Sequence, residues 1–93
     1  MTRIEHLFTC LAEECAEVIK EVSKCQRFGP GDQHPMLTET NLQRLNEELC
    51  HILAVVQMLV EEDIGVQTPI ASIDKMIRVE DYILYAKERG TVC

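Results

Sequence analysis

The stretch NLQRLNEELCHILAVVQMLV, residues 41–60, decides the fold. Leu42, Leu45, Leu49, Ile52, Leu53, Val56, Leu59 and Val60 recur at intervals of three and four, which places them along one face of an α-helix and fits no strand. Thr40 and Gln43 form a capping-box pair ahead of the run, and Gly65 follows it, so the spacing predicts a helix from about Asn41 to Asp63. Ala54, Val55 and Met58 add apolar surface on the other side. A helix that is apolar nearly all round over two turns is covered on more than one face. In so short a chain the second cover is expected to be another subunit.

Working toward the N-terminus, a first helix is predicted from Arg3 to Arg27. Thr2 and Glu5 supply its capping box, and Gly29, Pro30 and Gly31 stop it. Its apolar positions are Ile4, Leu7, Phe8, Leu11, Cys15, Val18, Val22 and Cys25, again spaced by threes and fours. Between the two helices, Phe28 to Glu39 is rich in Gly, Pro, Asp, Gln and His and reads as a loop able to serve as a lid. A third helix is predicted to start near Pro69, capped by Thr68, or near Ser72, and to end at about Arg89 before Gly90. Ile73, Met76, Ile77, Val79, Ile83 and Leu84 form its expected core stripe. The fold class is therefore all-α: a chain of three to four helices, one domain over residues 1–93, completing a helical bundle by dimerisation.

The chain has 93 residues and a formal net charge of −7, from sixteen acidic and nine basic side chains. That balance argues against nucleic acid as a partner, because a nucleic-acid binder must neutralise phosphates. The five cysteines are odd in number, lack C-x-x-C spacing and follow no secretory-type apolar run, which points to a reducing cytoplasm. Ile52 to Val60 is the longest apolar stretch, and it is too short to span a membrane.

The acidic residues are not spread evenly. Glu14, Glu17 and Glu21 share one flank of the first helix at about 100° per residue, beside its apolar stripe, while Glu13 points more toward solvent. On the second helix Glu47 is followed by Glu48 and His51, the last two also beside the stripe. Like charges three or four residues apart destabilise an isolated helix by a few tenths of a kcal/mol, roughly, per pair. A cation held between antiparallel helices would remove that repulsion, as in bundles with carboxylate metal centres. Magnesium or manganese suits such oxygen-rich ligands. The competing reading is a solvated charged face, with Lys20, Lys24 and Arg44 forming surface ion pairs.

LAEECAEV (residues 11–18) and LNEELCHIL (residues 45–53), in that order, resemble the MazG-like nucleotide pyrophosphohydrolases. Their signature is E-E-x-x-E on one helix and E-x-x-D on the next. SKCQRFG (residues 23–29) and the tail from Tyr82 to Gly90 are similar to a phage-type branch. The resemblance implies an all-α dimer or dimer of dimers that binds Mg²⁺ and cleaves nucleoside triphosphates to a monophosphate and pyrophosphate. By position it implies that Glu14, Glu17 and Glu48 are metal ligands, joined by residue 51. Glu13 matches the leading acid, which holds or activates water, and Glu13 or Glu47 is then the expected proton acceptor. One position departs from the pattern: His51 stands where the family has Asp. Imidazole accepts Mn²⁺ more readily than Mg²⁺ and removes a negative charge. The alternative is therefore a catalytically weak or inactive module that binds nucleotide or drives oligomerisation.

Lys75, Arg78, Tyr82, Tyr85 and Arg89, separated by three, four, three and four, occupy one face of the third helix opposite its apolar stripe. Cations for phosphate oxygens and rings for stacking on a base make this a candidate substrate face, to which Lys24 and Arg27 could add. A solvated face with snorkelling cations is the plainer reading. His6 and Cys10 could form half a zinc site with Cys50, His51 or His34, though no pair has the usual zinc spacing.

Overall fold

A computed structural model describes residues 1–93 and contains three α-helices: α1 (Arg3–Phe28), α2 (Asn41–Glu61) and α3 (Ile73–Glu88). Both expected capping boxes form: Thr2 accepts from the Glu5 amide and Thr40 from the Gln43 amide, and the Glu5 and Gln43 side chains reach back to the cap amides. Gly29 ends α1 with φ +96°, a conformation that side chains with a Cβ rarely adopt, and its N–H donates to Cys25 O. α3 begins at Ser72, whose hydroxyl accepts from the Lys75 amide; the Thr68-Pro69 start is not used.

α1 and α2 form an antiparallel hairpin. Arg3 at the start of α1 pairs with Glu62 just past α2, and the connecting loop is fastened to the start of α2. There Asn41 Nδ2 donates to Gly29 O at 3.0 Å, Asn41 N to Asp32 O and Leu42 N to Pro30 O. The less exposed positions of α1 include Ile4, Leu7, Leu11, Glu14, Val18, Glu21 and Cys25, three and four apart, with Cys10, Ser23 and Lys24 part-buried beside them. On α2 they include Asn41, Leu45, Glu48, Ile52, Val55, Leu59 and Glu62, again three and four apart. This is a coiled-coil-like seam. Its half near Leu7 and Leu59 is apolar, and its half near the loop is polar.

The hairpin leaves the chain short of core. Leu7 and Leu59 are the buried hydrophobic residues, and Glu21 and Asn41 the buried polar ones. Two buried leucines contribute about 1.5–3 kcal/mol each, small against the ordering entropy of a domain. The accessible surface is 7417 Å², whereas a compact monomer of this mass exposes about 5,500 Å². The radius of gyration is 16.8 Å, against about 12 Å for a compact chain of this length.

α3 accounts for part of the difference, because it packs against neither α1 nor α2. The stripe read as its core is exposed: Ile73 71%, Met76 60%, Ile77 55% and Leu84 58%. The periodicity correctly marks an apolar face, but nothing within the chain covers it.

Candidate functional site

With the seam residues facing inward, the remaining positions of α1 and α2 fall on two sides of the hairpin. At about 100° per residue, Glu13, Glu17, Lys24 and Phe28 of α1 share one side with Arg44, Glu47 and His51 of α2. The other side carries Phe8, Cys15, Ile19 and Val22 opposite Leu42, Leu49 and Leu53, all exposed. One side is thus charged and the other apolar.

Glu14, Glu48 and His51 converge at the middle of the seam. One ligand atom from each lies within 4.8 Å of the other two, and no other three His, Cys, Asp or Glu side chains come together in this way. His51 Nδ1 sits 3.3 Å from Glu48 Oε2 and 3.6 Å from Glu14 Oε2. Glu14 and Glu48 are partly covered, and His51 is about half exposed. The Glu14 carboxyl titrates above the usual glutamate range. A hydrogen bond with Glu48 is the main cause, followed by desolvation and by the negative charges of Glu48 and Glu17, with His51 opposing. The two carboxylates lie close enough that one cation between them would neutralise both. The donor set, two carboxylates and one imidazole, fits a divalent cation.

Glu17 is exposed one turn beyond Glu14, outside this close group, and reaches it only through its charge. Glu13 and Glu47 are exposed on the charged side, as outer groups facing water. His6 and Cys10 find no partners for a zinc site. Lys24 lies where the seam meets the loop, in a 210 Å³ pocket shared with Phe28, Asp32, His34, Pro35 and Asn41. Arg27 lies outside that pocket, its guanidinium 5.5 Å from the Phe28 ring centre. Arg78, Tyr82 and Tyr85 line a 390 Å³ groove on α3 together with Asp81, which the sequence reading did not single out. Arg89 stacks on Tyr85 at 5.0 Å. Lys75 is on the same exposed face, but none of this stripe approaches Lys24 or Arg27 within one chain.

Residues 2–84 match the family model of the MazG nucleotide pyrophosphohydrolase domain. The chain belongs to this family. No curated protein and no solved structure gives a match. Within the MazG domain, Glu14, Glu48 and His51 are brought together in three dimensions. No helix is long and apolar enough to cross a membrane.

Glu21, which reads from sequence with Glu14 and Glu17 as one carboxylate flank, stands outside the close group, and Arg44 and Asn41 carry contacts that the sequence does not single out. Glu21 is completely buried, Arg44 is three-quarters buried and reaches it, and Asn41 ties the loop to α2. A signal was present for Glu21, which stands seven residues after Glu14 and so repeats its heptad position.

Proposed function

We propose that this MazG domain is a metal-dependent nucleoside triphosphate pyrophosphohydrolase, releasing a nucleoside monophosphate and pyrophosphate. The observation that carries the reading is the convergence of Glu14, Glu48 and His51 on the open charged side of the hairpin, in a chain matched to this family over residues 2–84. Glu14, Glu48 and His51 would hold a divalent cation, with Glu17 as a further carboxylate one turn away. Mg²⁺ or Mn²⁺ supplies, when bound, charge stabilisation at the phosphates and a more acidic water.

The chain's own groups then divide the remaining work. Glu13 or Glu47, exposed beside the ligand group and not used in it, accepts the proton of the attacking water. The water oxygen bonds to the α phosphorus in line with the bond to the β-phosphate bridging oxygen, which leaves on pyrophosphate. Lys24 and Arg27 contribute positive charge toward the phosphates, and Phe28 and the loop pocket offer a stacking surface for the base. Lys75, Arg78, Tyr82 and Tyr85 on α3 form a second substrate-contact face, which reaches a site only when brought there by assembly.

We read the working unit as a homodimer or dimer of dimers in the cytoplasm, with residues 1–93 as a single domain and neither nucleic acid nor membrane as a partner. The surface in excess of a compact monomer, about 1,900 Å², is more than double the roughly 800 Å² per partner of a standard interface. A second reading has its own supporting observation. With Nδ1 3.3 Å from Glu48 and 3.6 Å from Glu14, the His51 imidazole itself fills the space between the two carboxylates, which suits a weak or inactive nucleotide-binding module. Incubating the purified chain with a panel of nucleoside triphosphates and Mg²⁺ or Mn²⁺ separates the two. Stoichiometric monophosphate and pyrophosphate support the hydrolase, and nucleotide binding without turnover under either metal supports the module.

A further inference from the structure

Glu21 is one of only four buried residues, and its carboxylate is fully enclosed. Lys24 Nζ donates to Glu21 Oε1 at 3.3 Å, and Arg44 Nε lies 3.5 Å from the same oxygen. Glu21 Oε2 has no partner. Two cations therefore meet one buried carboxylate through a single oxygen, and the other carboxylate beside them, Glu39, stands off at 3.9 Å from Arg44 Nη1.

This is poor geometry for a stabilising ion pair. Burying a carboxylate costs several kcal/mol, roughly, and a pair that offsets this uses both oxygens and the guanidinium fork. Here Arg44 approaches Glu21 through Nε without forming a hydrogen bond, and Glu21 Oε2 is left out. Arg44 Nη1 comes only within 3.9 Å of Glu39, a half-exposed residue at the end of the loop. Arg44 and Lys24 are each about a quarter exposed, so their unused N–H donors can meet a ligand.

The position matters as much as the charge. Glu21 is one heptad beyond Glu14, about 10 Å along α1, and Arg44 is one turn, about 6 Å, from Glu48 on α2. Both cations lie on the charged side of the hairpin with His51 and Glu17, and Lys24 also lines the loop pocket. A ligand occupying the carboxylate–histidine group and the pocket together would pass this pair.

We propose that Glu21 is a positioning residue that holds Lys24 and Arg44 as a paired receptor for the substrate's polyphosphate, one heptad along the seam from the carboxylate–histidine group. The substrate class rests on the hydrolase reading above; the receptor for a condensed phosphate does not. Glu21 itself touches no ligand. It fixes two long, flexible cations that would otherwise separate by repulsion and extend into water.

The test uses the full-length protein freed of metal and inorganic pyrophosphate as the probe, with affinity measured by calorimetry. Lys24→Gln and Arg44→Gln should each weaken binding about tenfold or more, the loss of one charge-assisted contact. Glu21→Gln is the discriminating variant. It makes the site more positive, so simple attraction predicts tighter binding, whereas positioning predicts weaker binding with partial recovery in Glu21→Asp. The Mn²⁺-induced rise in melting temperature should persist in all four variants. Pyrophosphate bound by Glu21→Gln as tightly as by the native chain, or more tightly, with that metal response intact, overturns the proposal. If Glu21→Gln does not fold, Lys24→Gln and Arg44→Gln decide, and native affinity in both overturns it. In turnover assays KM should rise more than kcat falls. Glu21-dependent pyrophosphate binding without triphosphate hydrolysis would overturn the hydrolase reading alone, and hydrolysis with an unchanged KM in Glu21→Gln would overturn the receptor alone.

Discussion

In the proposed dimer, with the apolar side of the hairpin as its interface, Leu53→Lys should yield monomers. Leu53 is 58% exposed in the single chain, on the apolar side of the hairpin with Leu49, Leu42, Phe8 and Val22. Covering the rest of a leucine side chain contributes about 1–1.5 kcal/mol, half or more of its full burial value. A twofold interface contains the residue twice, so truncation alone costs about 2–3 kcal/mol of dimer stability. Lysine adds the desolvation of two ammonium groups that have no carboxylate opposite them, bringing the total above about 4 kcal/mol. The dimer dissociation constant should rise roughly a thousandfold. Sedimentation velocity at a series of micromolar concentrations measures this, with Leu53→Ala expected between the native chain and Leu53→Lys. A native chain that stays monomeric across that range would refute the inference from exposed area. A Leu53→Lys dimer as tight as the native one would show that the apolar side is not the interface.

The remaining predictions concern the carboxylate–histidine group. Metal stabilisation should grow with pH. The folded chain raises Glu14 above its unfolded value, so in metal-free protein the stability linked to Glu14 is complete below the ordinary glutamate value of about 4.3 and is lost as pH rises through the raised one. Cation binding needs the ionised form, so the Mn²⁺-induced rise in melting temperature should be small near the ordinary value and large at neutral pH; Glu14→Gln should remove it throughout. His51→Asp should strengthen Mg²⁺ binding about tenfold or more by adding a hard oxygen and a charge beside Glu48, and should raise Mg²⁺-dependent pyrophosphate release, with a smaller change under Mn²⁺. Without metal the same variant sets three carboxylates against one another and should melt lower, and unchanged melting and turnover would put residue 51 outside the coordination sphere.

The helices and their starts were legible because the signals are local. Thr2 with Glu5 and Thr40 with Gln43 act within four residues of themselves, so no distant contact can reassign them. α3 had two acceptable caps only four residues apart, Thr68 with Pro69 and Ser72, and sequence rules alone could not rank them. The convergence of Glu14, Glu48 and His51 was legible for a different reason. Each lies at or beside a seam position, and the antiparallel packing of α1 on α2 brings the two motifs level with each other. Glu17 shows the limit of that inference, since sharing a flank with Glu14 did not place it in the same close group.

What sequence could not supply was the identity of the covering surface. Periodicity says that Ile73, Met76, Ile77 and Leu84 form a face, and it is silent on whether the cover comes from the same chain. Glu21 and Arg44 mark the converse case. Both residue types are ordinarily exposed, and the sequence reads Glu21 as a flank carboxylate with Arg44 as a surface partner in the competing reading, yet the register places Glu21 in the seam and brings Arg44 to it from the facing helix. The same heptad thus sets Glu14 opposite the Glu48–His51 pair and, two turns on, Glu21 opposite Arg44. Anionic ligands gather at one end of the charged side and cations at the other, about 10 Å apart along the helix axis. That polarity suits a ligand that is itself polarised, with a metal-bridged phosphate at one end and further phosphate oxygens extending from it. Under the proposed function, Glu13 and Lys24 would meet such a ligand on the charged side. The order in which the ligand meets them follows only from the antiparallel packing of α1 on α2.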